Sequence, residues 1–317
     1  MTEMKMARDA YGELLVELGK KDPRIVVLDA DLSVSTKTSK FARNFPERFF
    51  NCGIAEQNMI GVAAGLSASG KIPFTSTFSI FASGRAWEQI RNTVSVCNLN
   101  VKIVVTHGGI SVGPDGVSHQ SLEDIALMRA IPDMVVIVPC DAPETVAAIK
   151  AAIDYKGPVF IRLGRPKVPS IWEGGCFTIG TAQLVSSGND VTIIACGIMV
   201  DEARKARDVL KAKNISVEII NMSTIKPLDV YALHRSVKKT GCVVTCEEHS
   251  VIGGLGSAVA EFLTVHHPVP QRFIGILDRF GQSGDPQDLM TEYNLSYDNI
   301  VRAVEEVLSV KKGKKPS

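Results

Sequence analysis

A glycine-rich loop carries the densest cluster of titratable side chains in this sequence. It spans Thr106–Gln120 and contains His107, Asp115 and His119 among four glycines. Imidazole and carboxylate groups hydrogen-bond polar substrates and move protons near neutral pH. The same three side chains could ligate a metal, but a long glycine-rich loop does not impose a fixed ligand geometry. We therefore predict a substrate-contacting loop and no metal site on this chain.

Further candidates lie elsewhere within residues 1–165, each with a structural alternative. Glu56 begins a predicted helix, where the helix dipole alone favours a carboxylate; the functional alternative is a shielded acid that hydrogen-bonds a heterocyclic nitrogen. Phe78 and Phe81 have core-like spacing, but serines surround them, so a ring-stacking wall is the alternative. Arg8 and Arg165 are either anion clamps or partners in surface salt bridges.

The elements that must position these residues alternate between apolar strands and helices, which predicts a parallel sheet with right-handed crossovers. The predicted strands are Arg24–Leu28, Ile72–Thr75, Val101–Val105, Met134–Val138 and Val159–Arg162, and the predicted helices are Met6–Lys20, Ala55–Ser69, Gly84–Cys97, Ser121–Ala130 and Ala142–Asp154. Parallel strands present their carboxyl ends along one edge of the sheet, where open α/β folds bind ligands. Residues that follow these strands are therefore expected to line one crevice.

A stretch rich in proline and glycine, Gly164–Gly180, interrupts the alternation and predicts a linker. A second α/β set follows it. Its predicted strands are Val191–Cys196, Ser216–Ile220, Cys242–Cys246 and Arg272–Ile276, and its predicted helices are Met199–Lys213, Leu228–Lys239 and Gly254–Thr264. We predict two α/β domains, over residues 1–165 and 183–317, with a linker over 166–182.

Bulk composition excludes several classes of function. The chain has 317 residues and a net charge of +1, so no overall field attracts nucleic acid or an anionic membrane. No segment approaches the roughly 18 uninterrupted apolar residues of a membrane span. The seven cysteines are scattered without a C-x-x-C pair. Such usage indicates reduced, buried thiols and a cytoplasmic protein.

Five segments, in order and at matching spacing, resemble the pyrimidine-binding half of transketolase. They are Gly53–Met59, Thr77–Phe81, Thr106–Gln120, Pro132–Asp141 and Arg162–Arg165. Residues 180–310 resemble the C-terminal domain of the same family. The resemblance implies an α/β fold in which a parallel-sheet pyrimidine-binding domain of the thiamine diphosphate enzymes precedes a smaller α/β transketolase C-terminal domain.

The resemblance also implies a role for each matching residue. Glu56 matches the glutamate that contacts N1′ of the thiamine aminopyrimidine and drives its tautomerisation. Phe78 and Phe81 match aromatic residues packed around that ring. The matches for substrate hydroxyls are His107, Asp115 and His119; those for the sugar phosphate are Arg8, Ser35 and Arg165; and Asp31 matches an acid near the cofactor at the dimer contact. Glu56, His107 and His119 are thus the expected catalytic residues.

Two departures from the family pattern shape the functional expectation. An aromatic residue usual near the pyrimidine is replaced by Gly84. The half of the family that binds the diphosphate through a metal has no counterpart here. The chain therefore resembles the C-terminal subunit of a two-chain transketolase, whose N-terminal subunit would hold the diphosphate and Mg or Ca in a heterotetramer.

Such an enzyme transfers a two-carbon ketol unit between sugar phosphates, in the pentose phosphate pathway or in the metabolism of a specialised sugar. Two alternatives keep the same cofactor: the β subunit of a 2-oxoacid dehydrogenase and a deoxyxylulose-phosphate-synthase-like enzyme. The alternative outside enzymes is a nucleotide-binding assembly module, which the lack of a complete dinucleotide fingerprint disfavours.

Overall fold

Two sheets form the framework of the chain, and the computed structural model describes residues 4–172 and 174–313. Up to Arg162 the strands are β1 (Met4–Met6), β2 (Ile25–Asp29), β3 (Phe49–Asn51), β4 (Ile72–Ser76), β5 (Lys102–Val105), β6 (Val135–Ile137) and β7 (Val159–Arg162). The helices there are α1 (Ala7–Lys21), α2 (Ser33–Thr36), α3 (Ser39–Asn44), α4 (Glu56–Ala68), α5 (Asp124–Arg129) and α6 (Ala142–Asp154).

The remaining elements follow Arg162. The strands are β8 (Lys167–Pro169), β9 (Gln183–Ser186), β10 (Val191–Ala195), β11 (Val217–Asn221), β12 (Thr224–Lys226), β13 (Val243–Ser250) and β14 (Gln271–Ile276). The helices are α7 (Met199–Ala212), α8 (Val230–Thr240), α9 (Leu255–His266), α10 (Pro286–Glu292) and α11 (Tyr297–Lys311).

The first sheet has the order β12-β6-β7-β5-β4-β2-β3, and all of its pairs are parallel except that of β12 with β6. Every residue of β2, β4, β5 and β7 is buried. Strands covered on both faces are near-continuously apolar, and here the charged residues stand only at strand ends, as Asp29, Lys102 and Arg162 do. Helices α1 and α6 pack together on one face, and α4 covers the other.

The second sheet has the order β14-β13-β10-β11-β9, with β9 as its antiparallel edge strand. Helices α7 and α11 pack on one face. The opposite face joins a buried apolar cluster that reaches into the first sheet's domain, with Ile194 and Leu233 in the same cluster as Ile60 and Val105. The two sheets therefore share part of one core.

The predicted parallel α/β architecture is confirmed, and several local predictions are wrong. The predicted helix Gly84–Cys97 is replaced by two π-helical segments, Phe81–Arg85 and Gln89–Ser95. π-helical turns are rare in proteins, and those that occur are frequently found at functional sites. No sequence periodicity predicts them. The predicted linker contains β8, which pairs antiparallel with β1.

The sequence pattern also failed to reveal the short strands β3, β9 and β12 and the C-terminal helices α10 and α11. Strand β12 lies beyond the predicted linker and yet completes the edge of the first sheet. Strands of three or four residues carry too little pattern to be recognised, and their partners are set by tertiary packing.

All seven cysteines are free, and their burial is only partly as predicted. Cys140, Cys196, Cys242 and Cys246 are buried, Cys52 is half-buried, and Cys97 and Cys176 are exposed. No helix within the described ranges is both long and apolar enough to cross a membrane.

Candidate active site

The loops predicted to line one crevice lie together at the carboxyl edge of the first sheet. Strands β7, β5, β4 and β2 are neighbours in that order, so the loops that follow them lie side by side. The pairing of β4 with β5 continues past the strands through a parallel bridge between Phe78 and Thr106. This bridge sets Phe78 beside His107, and their rings stack with centroids 3.8 Å apart.

His107 is buried and held by a defined set of hydrogen bonds. Its backbone has φ of 59°, a left-handed conformation that is uncommon outside glycine and points to a site constraint. The Arg8 guanidinium lies 3.2 Å from Nε2, and Nδ1 lies 2.8 Å from the Thr106 hydroxyl. Because a guanidinium only donates, we infer that Nε2 accepts and that the proton of a neutral ring is on Nδ1.

Electrostatics favour the same protonation state. Burial, followed by the positive charges of Arg8 and Arg165, lowers the pKa of His107 to about 3. The ring therefore remains neutral at physiological pH and adds no positive charge beside the two arginines.

Two arginines flank this histidine. Arg8 also donates to the Ser35 carbonyl at 3.0 Å, and burial lowers its guanidinium pKa. Arg165 donates to the Val112 carbonyl and lies 3.5 Å from the Asp115 carboxylate. Both guanidiniums lie close enough to His107 to lower its pKa, so the crevice has a positive wall suited to an anionic group.

The two aromatic residues singled out from the sequence lie against each other, with Phe78 buried and Phe81 half-buried. The rings of Phe78 and Phe81 stack with centroids 5.7 Å apart, and His119 meets the Phe81 ring edge-on at 5.3 Å. His119 is half-buried, and its Nδ1 lies 2.9 Å from the Ser118 hydroxyl. The loop that carries the histidines thus faces the aromatic residues that follow β4.

Glu56 is the first residue of α4 and is only 3% exposed. Its carboxylate accepts a hydrogen bond from Arg85 at 3.0 Å, and the Arg85 guanidinium lies 4.1 Å from the centroid of the Phe81 ring. Arg85 was not among the residues predicted from sequence. Its position directly after Gly84, where the family pattern is broken, was the available signal.

Asp31 makes its side-chain hydrogen bond with Asn51 and not with another predicted site residue. It is exposed, and its carboxylate accepts from the Asn51 amide at 3.1 Å. The neighbouring Asp29, predicted to follow the strand, is its last residue and is fully buried. Asp29 accepts from Leu32, Thr36 and Thr38 and so shapes the turn that leads to Ser35.

The site can accommodate part of thiamine diphosphate. A buried carboxylate beside a stacked aromatic pair suits a polar heterocycle. Gly84 has open space where a β-carbon would stand, and Arg85, although 52% exposed, contacts both the Glu56 carboxylate and the Phe81 ring. Across residues 4–172 and 174–313, no three His, Cys, Asp or Glu side chains group so as to hold a metal ion.

Two known domain families together match nearly the whole sequence. The pyrimidine-binding domain of transketolase matches residues 3–170, and the transketolase C-terminal domain matches residues 180–300. The chain belongs to the transketolase family. Its order of domains is the one that the sequence resemblance implied.

Several transketolase-family relatives match this chain over nearly their whole length. It is 52% identical to a putative transketolase C-terminal section from Methanocaldococcus jannaschii, over 95% of this chain and 96% of the relative. It is 47% identical to a 6-deoxy-6-sulfo-D-fructose transketolase subunit from a Clostridium species, over 95% and 94%. It is 38% identical to one subunit of an apulose-4-phosphate transketolase from Phocaeicola vulgatus, over 96% and 97%.

Solved transketolase structures agree with this assignment. A split-gene transketolase, described as an inactive β4 tetramer, matches with a TM-score of 0.90 and 52% identity, over 96% of this chain and 99% of that one. Transketolase from Leishmania mexicana matches with a TM-score of 0.84 and 25% identity, but the match covers 98% of this chain and only 46% of that one. The chain therefore corresponds to the C-terminal section of the family.

Proposed function

We propose that this chain is the C-terminal subunit of a thiamine-diphosphate-dependent transketolase that moves a two-carbon ketol unit from a ketose phosphate to an aldose phosphate. The observation that carries the proposal is a continuous series of contacts along one crevice. It runs from Ser35 through Arg8 and His107 to the aromatic pair, and from there through Arg85 to Glu56.

In this proposal Phe78 and Phe81 hold the aminopyrimidine ring of the cofactor, and Glu56 hydrogen-bonds one of its nitrogens. When bound, the cofactor supplies the nucleophile and electron sink of ketol transfer. Glu56 exchanges a proton with the ring from a site shielded from water. Arg85 bonds only Oε1 of this carboxylate, and its displacement from the Phe81 ring would open the space beside Glu56 to the cofactor.

The remaining residues would bind the sugar phosphate. The half-buried His119 hydrogen-bonds or exchanges protons with substrate hydroxyls. The neutral imidazole of His107 accepts a hydrogen bond from a substrate hydroxyl at Nε2 once the substrate displaces Arg8 from that atom. Asp115 would assist them from the exposed rim of the loop. Arg8 and Arg165, with the turn at Ser35, hold the phosphate through charge-assisted hydrogen bonds, for which paired guanidiniums are well suited.

An N-terminal partner subunit is part of the proposal. It would bind the diphosphate and Mg or Ca and assemble with this chain as a heterotetramer, with Asp31 close to the contact. Two similarities support a partner: a relative that is itself named a C-terminal section, and a related β tetramer that is described as inactive. The free state of all seven cysteines supports a reducing compartment such as the cytoplasm.

The donor sugar is the finer part of the proposal. Named relatives act on a sulfonated fructose and on apulose 4-phosphate, so a specialised sugar is as well supported as a pentose phosphate pathway substrate. Two guanidiniums beside a neutral histidine can hold either a phosphate monoester, of about −1.5 to −2 charge, or a singly charged sulfonate. Use of a 2-oxoacid as the donor would distinguish the dehydrogenase alternative from a transketolase.

The test combines assembly and mutation. The chain is assayed alone and with a candidate N-terminal subunit, using ketose phosphates, 6-deoxy-6-sulfofructose, apulose 4-phosphate and a 2-oxoacid as donors. We expect ketol transfer only from the assembled complex. Glu56→Gln should lower kcat about a hundredfold or more, because it replaces the proton-exchanging acid with an amide.

Glu88→Gln is the matched control, since Glu88 is exposed on a neighbouring helical stretch. Substantial ketol transfer by the lone chain would contradict the two-subunit proposal. A Glu56→Gln complex with near-normal turnover would contradict the role of Glu56. Turnover of the 2-oxoacid alone would favour the dehydrogenase alternative.

A further inference from the structure

The loop that carries the two site histidines is fastened to the second sheet's domain by a buried carboxylate. The Ser111 backbone N–H donates to Glu248 Oε1 at 2.6 Å. Glu248 lies in β13 and is 4% exposed, and 137 residues separate it from Ser111 along the chain. The bond therefore joins the C-terminal domain directly to the backbone of the candidate substrate loop.

A second fastening lies at the far end of the same loop. The Gln120 amide donates to the Ile110 carbonyl at 3.1 Å and to the Gln282 carbonyl, after β14, at 2.9 Å. The loop also approaches that segment too closely to admit side chains. A β-carbon at Gly116 would lie 2.5 Å from the Ser283 hydroxyl oxygen.

The Glu248 carboxylate has a restricted position. A β-carbon at Gly109 would lie 2.2 Å from the Glu248 carboxyl carbon, and Gly109 has φ of 92°. The buried Arg162 donates to the Glu248 backbone carbonyl at 2.9 Å and to the Asp124 carboxylate at 2.7 Å. The backbone and the side chain of Glu248 are thus both fixed against the loop.

Domain packing alone does not require an acid here. Burying a carboxylate costs free energy unless it is hydrogen-bonded, and an apolar side chain would pack two domains together at a lower cost. A backbone amide in a catalytic loop, however, is oriented by an acceptor and by no apolar group. We propose that Glu248 is a positioning residue, through which the C-terminal domain sets the conformation of the loop that carries His107 and His119.

The first test measures the loop itself and does not depend on activity. Hydrogen–deuterium exchange of the Ser111 amide is followed in the full chain and in Glu248→Ala. Loss of a charge-assisted acceptor should speed this exchange at least about tenfold. Glu248→Gln keeps an acceptor oxygen and should retain most of the protection.

Glu247→Ala is the matched control. Glu247 is as buried as its neighbour, but its carboxylate accepts from Leu255 and Gly256 at the start of α9, inside its own domain. It should lower the stability of the chain without a specific effect at Ser111. If Glu248→Ala does not fold, Gln120→Ala releases the second fastening and should speed exchange at the loop end.

The second test uses the assembled enzyme and rests on the proposed function. Glu248→Ala should raise KM for the sugar phosphate about tenfold, with the Kd of thiamine diphosphate changed less than about twofold, and Glu248→Gln should restore KM. Unchanged exchange at Ser111 in Glu248→Ala, or an equal increase in Glu247→Ala, would overturn the inference. A complex that transfers no ketol unit would overturn the proposed function, and the exchange result would still decide the role of Glu248.

Discussion

The buried neutral imidazole of His107 makes the stability of this chain dependent on pH. In the unfolded chain a histidine has a pKa of about 6.5, whereas burial lowers the pKa of folded His107 to about 3. Between these values the unfolded state binds a proton that the folded state does not. The free energy of unfolding is therefore not reduced by His107 above pH 6.5, and it decreases as the pH falls from 6.5 toward 3.

The size of the effect follows from the two pKa values. At pH 5 the unfolded chain gains about 2 kcal/mol from protonation of this histidine, while the folded chain gains almost nothing. At pH 7.5 the difference is close to zero. The 2% exposure of His107 leaves little solvent screening to reduce this figure.

The informative substitution is His107→Asn. Asparagine does not titrate, and it tolerates the positive φ of this position better than most residues. Urea unfolding at pH 7.5 and pH 5 should show that the wild-type chain loses about 2 kcal/mol more than the variant between the two conditions.

His249 is the other buried histidine, with a pKa lowered to about 4 by burial, and it contributes equally to both proteins. It therefore cancels in the comparison of the variant with the wild type. Parallel pH dependence of the two would show that His107 is not buried in the neutral form, and the hydrogen-bond assignment at Arg8 would fail with it.

Two further predictions concern charged pairs in the first domain. Arg85→Ala removes a half-exposed partner of Glu56. Calorimetric titration of the assembled enzyme should therefore show thiamine diphosphate bound up to about fivefold more tightly, with less dependence on salt, whereas the control Arg91→Ala, at an exposed site, should bind it as the wild type does. Weaker binding by Arg85→Ala would instead show that Arg85 supports the ring. Asp124→Ala leaves the buried Arg162 guanidinium without its carboxylate, which should lower the free energy of unfolding by about 3–5 kcal/mol in urea. A loss below about 1 kcal/mol there would mean that Arg162 finds another partner or water.

Much of the architecture could be predicted from local pattern. Apolar strands alternating with helices indicated a parallel sheet, and the carboxyl-edge rule placed the loops after β2, β4, β5 and β7 in one crevice before any contact was known. The boundaries moved by a few residues, as with Asp29. It belongs to its strand because its backbone pairs with Asn51 and Ser76, and its buried carboxylate is satisfied by the turn that follows.

The sequence alone determined the class of fold, the order of the two domains and the residue types available at the crevice, because these depend on periodicity and on motifs of short range. Tertiary structure decided which groups touch. Arg85 reaches Glu56 across 29 residues, and Glu248 reaches Ser111 across 137. Local sequence pattern does not predict such pairs. The lowered pKa of His107 and the hydrogen bond that fixes its loop to Glu248 arise only when folding removes water and brings distant groups together.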